Sequence, residues 1–448
     1  MDTSATIASP RELAQSVCAT LRGNGYQALL AGGCVRDVLL KRAPIDFDVA
    51  TDALPDQVIA LFPDSVAVGA QFGVVQVWHR EFKVEVATFR ADGDYSDGRR
   101  PDQVIYTKSP EDDVRRRDFT INGLLMQPDT GDVLDFVGGQ ADLEAGLIRA
   151  IGDPDQRLAE DKLRLMRAVR FAARFGFAIE PATMAAIQRH AKSISMVSAE
   201  RLRDELTKIL TEGAARRGFE SLDETRLLPE LLPEISRMKG VEQPPQFHPE
   251  GDVWVHTLLM LEGLPPGPSP TLAWGVLLHD VGKPPTFTPP SGPNGRIRFD
   301  RHVDVGTVMA EEICERLRFS NDDTAQIASL VANHLRFKDV PQMKRSTLKR
   351  FVRLDRFEEH MELHRLDCSS SHRNLENYEF MRRFLAETPP DEVRPVRLLT
   401  GGDLIGLGFR PGPEFKEILV AAEDAQLEGR IHTHDDALIW LRKHYQVQ

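Results

Sequence analysis

Two aspartates separated by one residue, Asp46 and Asp48, are the first side chains along the sequence whose type and spacing could do chemistry. In an extended strand, residues two apart share a face, so both carboxylates point the same way. Such a pair repels itself unless a cation sits between the two groups. Mg²⁺, a hard octahedral ion that takes one or two carboxylates together with phosphate oxygens, suits the pair. Phe47 and Val49 alternate with the aspartates and are expected to face a core. Upstream, Gly32-Gly33 falls between a strand predicted over Tyr26–Leu30 and a helix predicted over Val35–Leu40. Glycine lets the backbone approach a ligand closely, and a helix N-terminus offers free N–H groups to an anion. Arg36, one turn into that helix, can reach a phosphate. Glu85 lies opposite Val84 and Val86 in an alternating segment. It is either a third carboxylate near the metals or the exposed side of a strand, and alternation alone leaves both readings open.

Further along, three consecutive arginines precede Asp118-Phe119-Thr120-Ile121-Asn122. A helix is predicted to open at Glu160-Asp161-Lys162-Leu163-Arg164. At 100° per residue, Arg164, Arg167, Arg170 and Arg174 fall on one side and Leu165, Met166, Val169, Ala172 and Ala173 on the other. The helix is therefore expected to pack by one face and to present a basic stripe by the other; the plainer alternative is a solvated helix with i,i+4 pairs such as Glu160–Arg164. In the second half, His279-Asp280 follows the apolar run Leu272–Leu278, with His256 upstream and His302, His334 and Asp367 downstream.

The elements that must position these groups divide the 448 residues into two to four domains. A mixed α/β region is expected up to about residue 150, including a helix over 11–22 and a hairpin over Val74–Trp78 and Phe82–Val86. The stretch Arg90–Pro101 reads as a mobile loop. Residues 155–235 read as helical without a convincing strand, Pro244–Pro249 as a linker, and 250–385 as helical around a Pro/Gly-rich loop at Pro284–Gly295. Thr388–Pro395 precedes a small helical tail. Lys plus Arg number 56 and Asp plus Glu 68, a net charge of −12, so an RNA partner requires basic residues to be concentrated locally. Cys18, Cys34, Cys314 and Cys368 form no CxxC pair, which disfavours a zinc knuckle or disulfide framework. The N-terminus lacks a signal-peptide pattern, and no apolar run approaches the roughly 18 residues of a membrane span. A cytoplasmic protein is expected.

Gly32-Gly33-Cys34-Val35-Arg36-Asp37 followed by Asp46-Phe47-Asp48-Val49-Ala50-Thr51 resembles the first motif of the tRNA nucleotidyltransferase and bacterial poly(A) polymerase family, within the polymerase β superfamily. Cys34 departs from the small residue common there. The resemblance implies an α+β fold: a nucleotidyltransferase head with a small mixed sheet (1–150), an all-α neck (151–240), an HD-type helical domain (241–390) and a helical tail (391–448). It implies Mg²⁺ held by Asp46 and Asp48, with Glu85 resembling the third carboxylate, and a two-metal phosphoryl transfer. Arg116, Arg117, Asp118 and Asn122 resemble the motif that contacts the incoming nucleotide. Asp135, Gly138-Gly139 and Asp142 resemble the hinge motif. Asp161 and Arg164 resemble the amino-acid template that pairs with the base edge of CTP or ATP, and Arg167 and Arg170 would neutralise phosphate. Cytosine and adenine both present an exocyclic amine, which an aspartate accepts, whereas uracil and guanine present a carbonyl.

The histidine–aspartate set resembles the HD metal phosphohydrolases. That resemblance implies one divalent ion on His256, His279, Asp280 and Asp367, a second reachable by His302 and His334, and a transition metal such as Mn²⁺ or Ni²⁺. The leading expectation is an enzyme that adds CCA to a tRNA 3′ end from CTP and ATP, with no DNA or membrane partner. The alternatives are a poly(A) polymerase or A-adding enzyme of the same fold, an HD phosphohydrolase whose head only binds nucleotides, and a non-enzymatic RNA-binding protein.

Overall fold

The first helix, Pro10–Gly23, begins where Ser9 accepts a hydrogen bond from the Glu12 amide, with proline in the opening turn. Its apolar face (Leu13, Ala14, Val17, Cys18, Leu21) is buried and packs on a mixed sheet. The computed structural model describes residues 7–68, 73–92, 104–291 and 295–445. These fall into two units, Met1–Ser236 and Arg237–Gln448.

In the first unit the strands are β1 (Ala28–Ala31), β2 (Asp48–Thr51), β3 (Ser65–Ala67), β4 (Val74–His79), β5 (Phe82–Thr88), β6 (Arg90–Asp92), β7 (Val104–Tyr106), β8 (Leu124–Met126) and β9 (Val133–Asp135). Seven of them form one sheet in the order β3-β4-β5-β2-β1-β8-β9. Only β2 and β5 pair in parallel. The expected hairpin is β4–β5, closed by the two residues between His79 and Phe82, with Arg80 taking positive φ. Val75, Val77, Val84 and Val86 point into the core. Of the segment read as a loop, Arg90–Asp92 is a strand paired with Val104–Tyr106; residues 93–103 lie outside the described residues.

The helices Pro154–Glu160, Leu163–Phe175 and Ala199–Thr211 follow. The expectation of no strand here needs a small correction, because Ala178–Ile179 pairs in parallel with Leu147–Ile148. The helix does not open at Glu160 either. Asp161 is extended (φ −136°, ψ 109°) and its Oδ1 accepts from the Leu163 amide, so one helix stops and a new one begins at Leu163. That helix ends on Gly176 in the left-handed conformation.

The second unit contains the helices Val253–Glu262, Pro270–Leu278, His302–Arg316, Asn321–Asn333 and Phe357–Ser370. Pro270–Leu278 is central: every residue from Thr271 to Leu278 is buried. A short hairpin, Phe287–Thr288 with Arg298–Phe299, interrupts the segment read as a loop. The tail helices Gly401–Gly406, Pro413–Leu427 and His434–His444 have a small core of their own around Leu404, Ile418 and Leu441. The chain is thus an α+β protein with helices predominating. No helix among the described residues is long and apolar enough to cross a membrane.

One glycine brings two segments of the second unit together. A Cβ on Gly282 would lie 2.1 Å from the His302 carbonyl oxygen and 2.6 Å from the Gly306 nitrogen. Both are backbone atoms, so nothing flexible can yield. Gly282→Ala is expected to destabilise this unit by about 3 kcal/mol, the upper end of ordinary overpacking, measured as a lowered denaturation midpoint against wild type.

Candidate functional site

Gly32 ends β1 with φ +68° and ψ −122°, a conformation open to glycine and strained for other residues. A Cβ there would meet Arg117 Nη1 at 2.7 Å. The chain turns at once into the helix Gly33–Leu39. Asp48 is the first residue of β2, and Asp46 lies in the bend before it. The expectation that the two aspartates share a strand face is therefore corrected. The β1–β2 register ends at Ala31 opposite Asp48, leaving Asp46 without a strand partner. Both still line one cavity. Asp48 faces Glu85 across the parallel β2–β5 pair, and Glu85 itself lies outside the cavity wall, where its Oε1 accepts from Gln76 Nε2 at 3.0 Å. Burial, then the nearby charges of Glu85 and Asp46, push the Asp48 carboxyl up to about 6 against the pull of Arg117. This oxygen-only set of crowded carboxylates is the donor chemistry that a hard divalent cation takes.

The cavity, about 610 Å³, is lined by Gly32, Gly33, Arg36, Asp46, Asp48, Arg116, Arg117, Asp118, Asn122, Asp161, Arg164, Arg167 and Arg170, and also by Cys34, Asp37, Ile45, Phe171 and Arg174. The arginines of the expected basic stripe, Arg164, Arg167, Arg170 and Arg174, all line this cavity. Arg164 and Arg170 are buried, and each cavity arginine meets a carboxylate. Arg164 Nη1 lies 2.5 Å from Glu160, the i,i+4 pair foreseen as the plainer alternative. Arg167 grips Asp118 through Nε (2.8 Å) and Nη2 (2.7 Å). Arg170 Nε donates to Glu205 at 2.7 Å, and Arg174 reaches Glu212 at 3.5 Å. Arg116 and Arg117 share Asp113. Arg36 pairs with Asp37, donates to Asn122 Oδ1 at 2.5 Å and stacks over the Phe175 ring. Burial alone would raise the Asp118 carboxyl; Arg167 and Asn122 outweigh it and hold it at about 2.

Asp161 is engaged as well, its Oδ2 lying 2.9 Å from Arg201 Nη2. Arg164 also donates to the carbonyls of Arg157 and Arg116. Among the hinge residues, Asp135 accepts from the amides of Val137, Gly139 and Gln140, while Asp142 holds Thr120 and Arg149. Sequence reasoning missed Asp113, Arg201, Glu205 and Glu212. All four are charged residues on helices or their ends, which read as solvated faces.

In the second unit, the expected histidines and aspartates converge. Three sets could hold a metal ion: His256, His279 and Asp280; Asp280, His302 and His334; and His248, Glu250 and His256. Asp367 Oδ1 lies 3.3 Å from His256 Nε2. His279, His302 and His334 each place Nδ1 2.7–2.8 Å from the carbonyl three residues earlier. A ring that donates Nδ1–H leaves Nε2 as a lone pair. The three Nε2 atoms lie 3.0, 3.9 and 3.8 Å from Asp280, buried and with no hydrogen-bond partner among the described residues. Burial pushes the His334 imidazole down to about 4. Orphaned, unprotonated imidazole nitrogens around a buried carboxylate fit a divalent transition metal. Lys283 Nζ lies 2.6 Å from Asp280. His248 and Glu250 fall in or beside the segment read as a linker and were not anticipated.

Comparisons with known proteins agree with this division. A poly A polymerase head domain matches residues 28–149, a probable RNA- and SrmB-binding site of polymerase A matches 176–239, and an HD domain matches 253–363. The chain thus carries matches to a poly A polymerase head domain, to the RNA-binding segment of such polymerases and to an HD domain, in that order. It is 44% identical over 218 residues to a CCA-adding enzyme of Geobacillus thermodenitrificans, covering 49% of this chain and 54% of that one. To a CCA-adding enzyme of Bacillus subtilis it is 45% identical over 207 residues, covering 46% and 52%. The chain thus spans about half the length of the curated relatives it matches. The crystal structure of the Bacillus stearothermophilus CCA-adding enzyme in complex with CTP superposes with a TM-score of 0.73 at 26% identity, over 97% of each chain.

Proposed function

We propose that this protein adds or repairs the 3′-terminal CCA of tRNA, taking CTP and ATP without a nucleic-acid template. The observation that carries the reading is the cavity of about 610 Å³ in the first unit. There, the Gly32-Gly33 turn, the aspartates and the buried arginines surround one space of nucleotide size, and the relatives matched over about half of this chain are CCA-adding enzymes. Bound Mg²⁺ would supply activation of the RNA 3′-hydroxyl and neutralisation of the triphosphate. Asp46 and Asp48 hold it, with Glu85 beside Asp48. Arg116, Arg117, Arg167 and Arg170 set the phosphates and ribose, and Asp118 with Asn122 braces Arg167 and Arg36. Asp161 and Arg164 read the base. Arg164 donates three bonds within the protein, which leaves two of its five N–H groups for a base edge. Arg201, 2.9 Å from Asp161 Oδ2, keeps the carboxylate aimed. The proposed division is head 1–150, neck 151–240, HD domain 241–390 and tail 391–448, and a tRNA substrate places the protein in the cytoplasm.

The test incubates purified protein with tRNAs ending before CCA, after CC and after CCA, plus an unstructured RNA, with each NTP separately. C, C and A followed by a stop is expected. Long A tails on the unstructured RNA would instead make it a poly(A) polymerase, and a single A on the CC-ended tRNA an A-adding enzyme. Arg164→Ala is expected to lower discrimination for the correct base by about 1–3 kcal/mol, the usual size of one polar recognition pair. Comparable UTP and CTP incorporation by wild type would sink the template assignment.

A second reading applies to the second unit, on its own observation: the buried Nε2 atoms gathered on Asp280. We propose that His256, His279, Asp280 and Asp367 hold one divalent ion such as Mn²⁺ or Ni²⁺, that His302 and His334 can hold another, and that this unit hydrolyses phosphate esters at RNA ends or on nucleotides. Asp280→Ala is expected to remove phosphate release from a 2′,3′-cyclic or 2′-phosphorylated nucleotide while sparing incorporation. No release by wild type with any of several divalent metals would leave this unit a structural one.

A further inference from the structure

Four imidazoles surround the metal set of the second unit, and they are not held in the same way. His279, His302 and His334 each have a backbone carbonyl at Nδ1. His256 cannot use that device. It lies within the helix Val253–Glu262, and the carbonyl three residues back, on Val253, already accepts from Thr257 Oγ1. Its Nδ1 instead lies 2.7 Å from Glu250 Oε1. The same oxygen lies 2.9 Å from His248 Nδ1, and the rings of His248 and His256 meet edge to face at 5.0 Å. The Glu250 side chain is 6% exposed, and its Oε2 is buried without a partner. A buried carboxylate with one oxygen on two imidazoles is costly unless it serves them.

We infer that Glu250, bridged by His248, is a positioning residue. It holds His256 Nδ1 at a 2.7 Å contact and so turns Nε2 toward Asp367 and the metal set. This rests on the metal reading of the second unit given above. The arrangement is a carboxylate–histidine–metal relay, in which an outer carboxylate orients a ligating ring and raises its basicity. Asp252 supports it from the neighbouring turn: one carboxylate oxygen caps the helix at Val255 and the other accepts from the Gly240 amide. The loop bearing Glu250 is thereby tied down where the helix bearing His256 begins.

The test is calorimetric titration of the full chain with Ni²⁺ alone, because imidazole favours Ni²⁺ over the oxygen-only carboxylates of the first unit. Glu250→Ala is expected to weaken Ni²⁺ binding about 10–100-fold, the usual cost of losing an outer-sphere partner. Glu250→Gln is expected to recover most of the affinity, because its amide oxygen can take the same place beside His256 Nδ1. A denaturation curve for each variant, beside that of wild type, serves as the control for folding. Affinity within about twofold of wild type for Glu250→Ala overturns the proposal. So does Glu250→Gln binding as weakly as Glu250→Ala, since a carboxylate needed for its charge would then be a ligand itself. If Glu250→Ala does not fold, Glu250→Asp, which withdraws the carboxylate by one methylene, takes its place with the same outcomes. Asp280→Ala separates the two readings. If wild type binds no more Ni²⁺ than Asp280→Ala, the metal reading fails and this inference with it. If Asp280→Ala alone loses binding, the metal reading stands and Glu250 has no part in it.

Discussion

Asp48→Ala stops nucleotide incorporation while the protein keeps its fold. Asp48 stands where β2 begins, opposite Glu85 and beside Asp46. In the apo protein its charge is opposed by burial and by both neighbours, so replacing it with alanine relieves repulsion and costs little stability. The loss falls instead on a bound cation, which would keep its other carboxylates but not this one. Metal contributions to phosphoryl transfer amount to several kcal/mol, so a fall on the order of 10³-fold or more in kcat/KM is expected. Asp46→Ala, at the exposed bend before the strand, is expected to behave alike. The measurement is single-nucleotide extension of CC-ended tRNA with ATP, beside a denaturation curve for each variant. An Asp48→Ala protein that extends within tenfold of wild type would remove the metal assignment.

The second large effect is on stability. Arg170 and Glu205 are almost wholly buried, 8% and 4% exposed at the side chain, with Nε 2.7 Å from Oε2. The guanidinium also lies 4.4 Å from the Phe171 ring centroid. Removing one member of a buried pair leaves the other charge uncompensated, at a cost of about 3–5 kcal/mol. Glu205→Ala should approach the lower figure, because Glu212 lies 3.4 Å from Arg170 Nη1 and remains. Replacing both residues together, as Arg170→Met with Glu205→Leu, is expected to restore most of the stability and none of the activity, since the cavity then lacks one of the arginines proposed to set the phosphates. Urea denaturation midpoints check the first statement and extension assays the second. A Glu205→Ala protein within 0.5 kcal/mol of wild type would show the pair to be less isolated from water than its geometry implies.

The groups legible in the sequence were those whose partners lie nearby along the chain. Gly32-Gly33 and Asp46-Phe47-Asp48 carry their meaning within a few residues, and the β4–β5 hairpin declares itself by alternation. The arginines of the helix Leu163–Phe175 were visible as a stripe, but their setting was not. Arg170 finds Glu205 35 residues away and Asp161 finds Arg201 40 residues away, and amphipathic spacing cannot distinguish a face turned to water from one turned to a polar cavity. The break at Asp161 was missed because a side-chain bond to the Leu163 amide, rather than a proline or glycine, ends the preceding helix. Asp46 was placed on a strand because periodicity does not report where pairing stops. His248 and Glu250 went unnoticed because their role depends on a proline-rich segment folding back beside the helix that bears His256.

Each arginine in the wall of the first unit's cavity is paired with an acid: Arg116 and Arg117 share Asp113, and the others meet Asp37, Glu160, Asp118, Glu205 or Glu212. A cavity of bare guanidinium groups would grip a polyphosphate and keep it. This one is close to neutral before anything enters, so an arriving triphosphate shares its cations with resident acids. Departing pyrophosphate, no less charged, leaves those cations already satisfied. Under the proposed function, the acids behind the arginines would act as a built-in competitor for the product, trading some grip on each nucleotide for its prompt release and readying the cavity for the next addition.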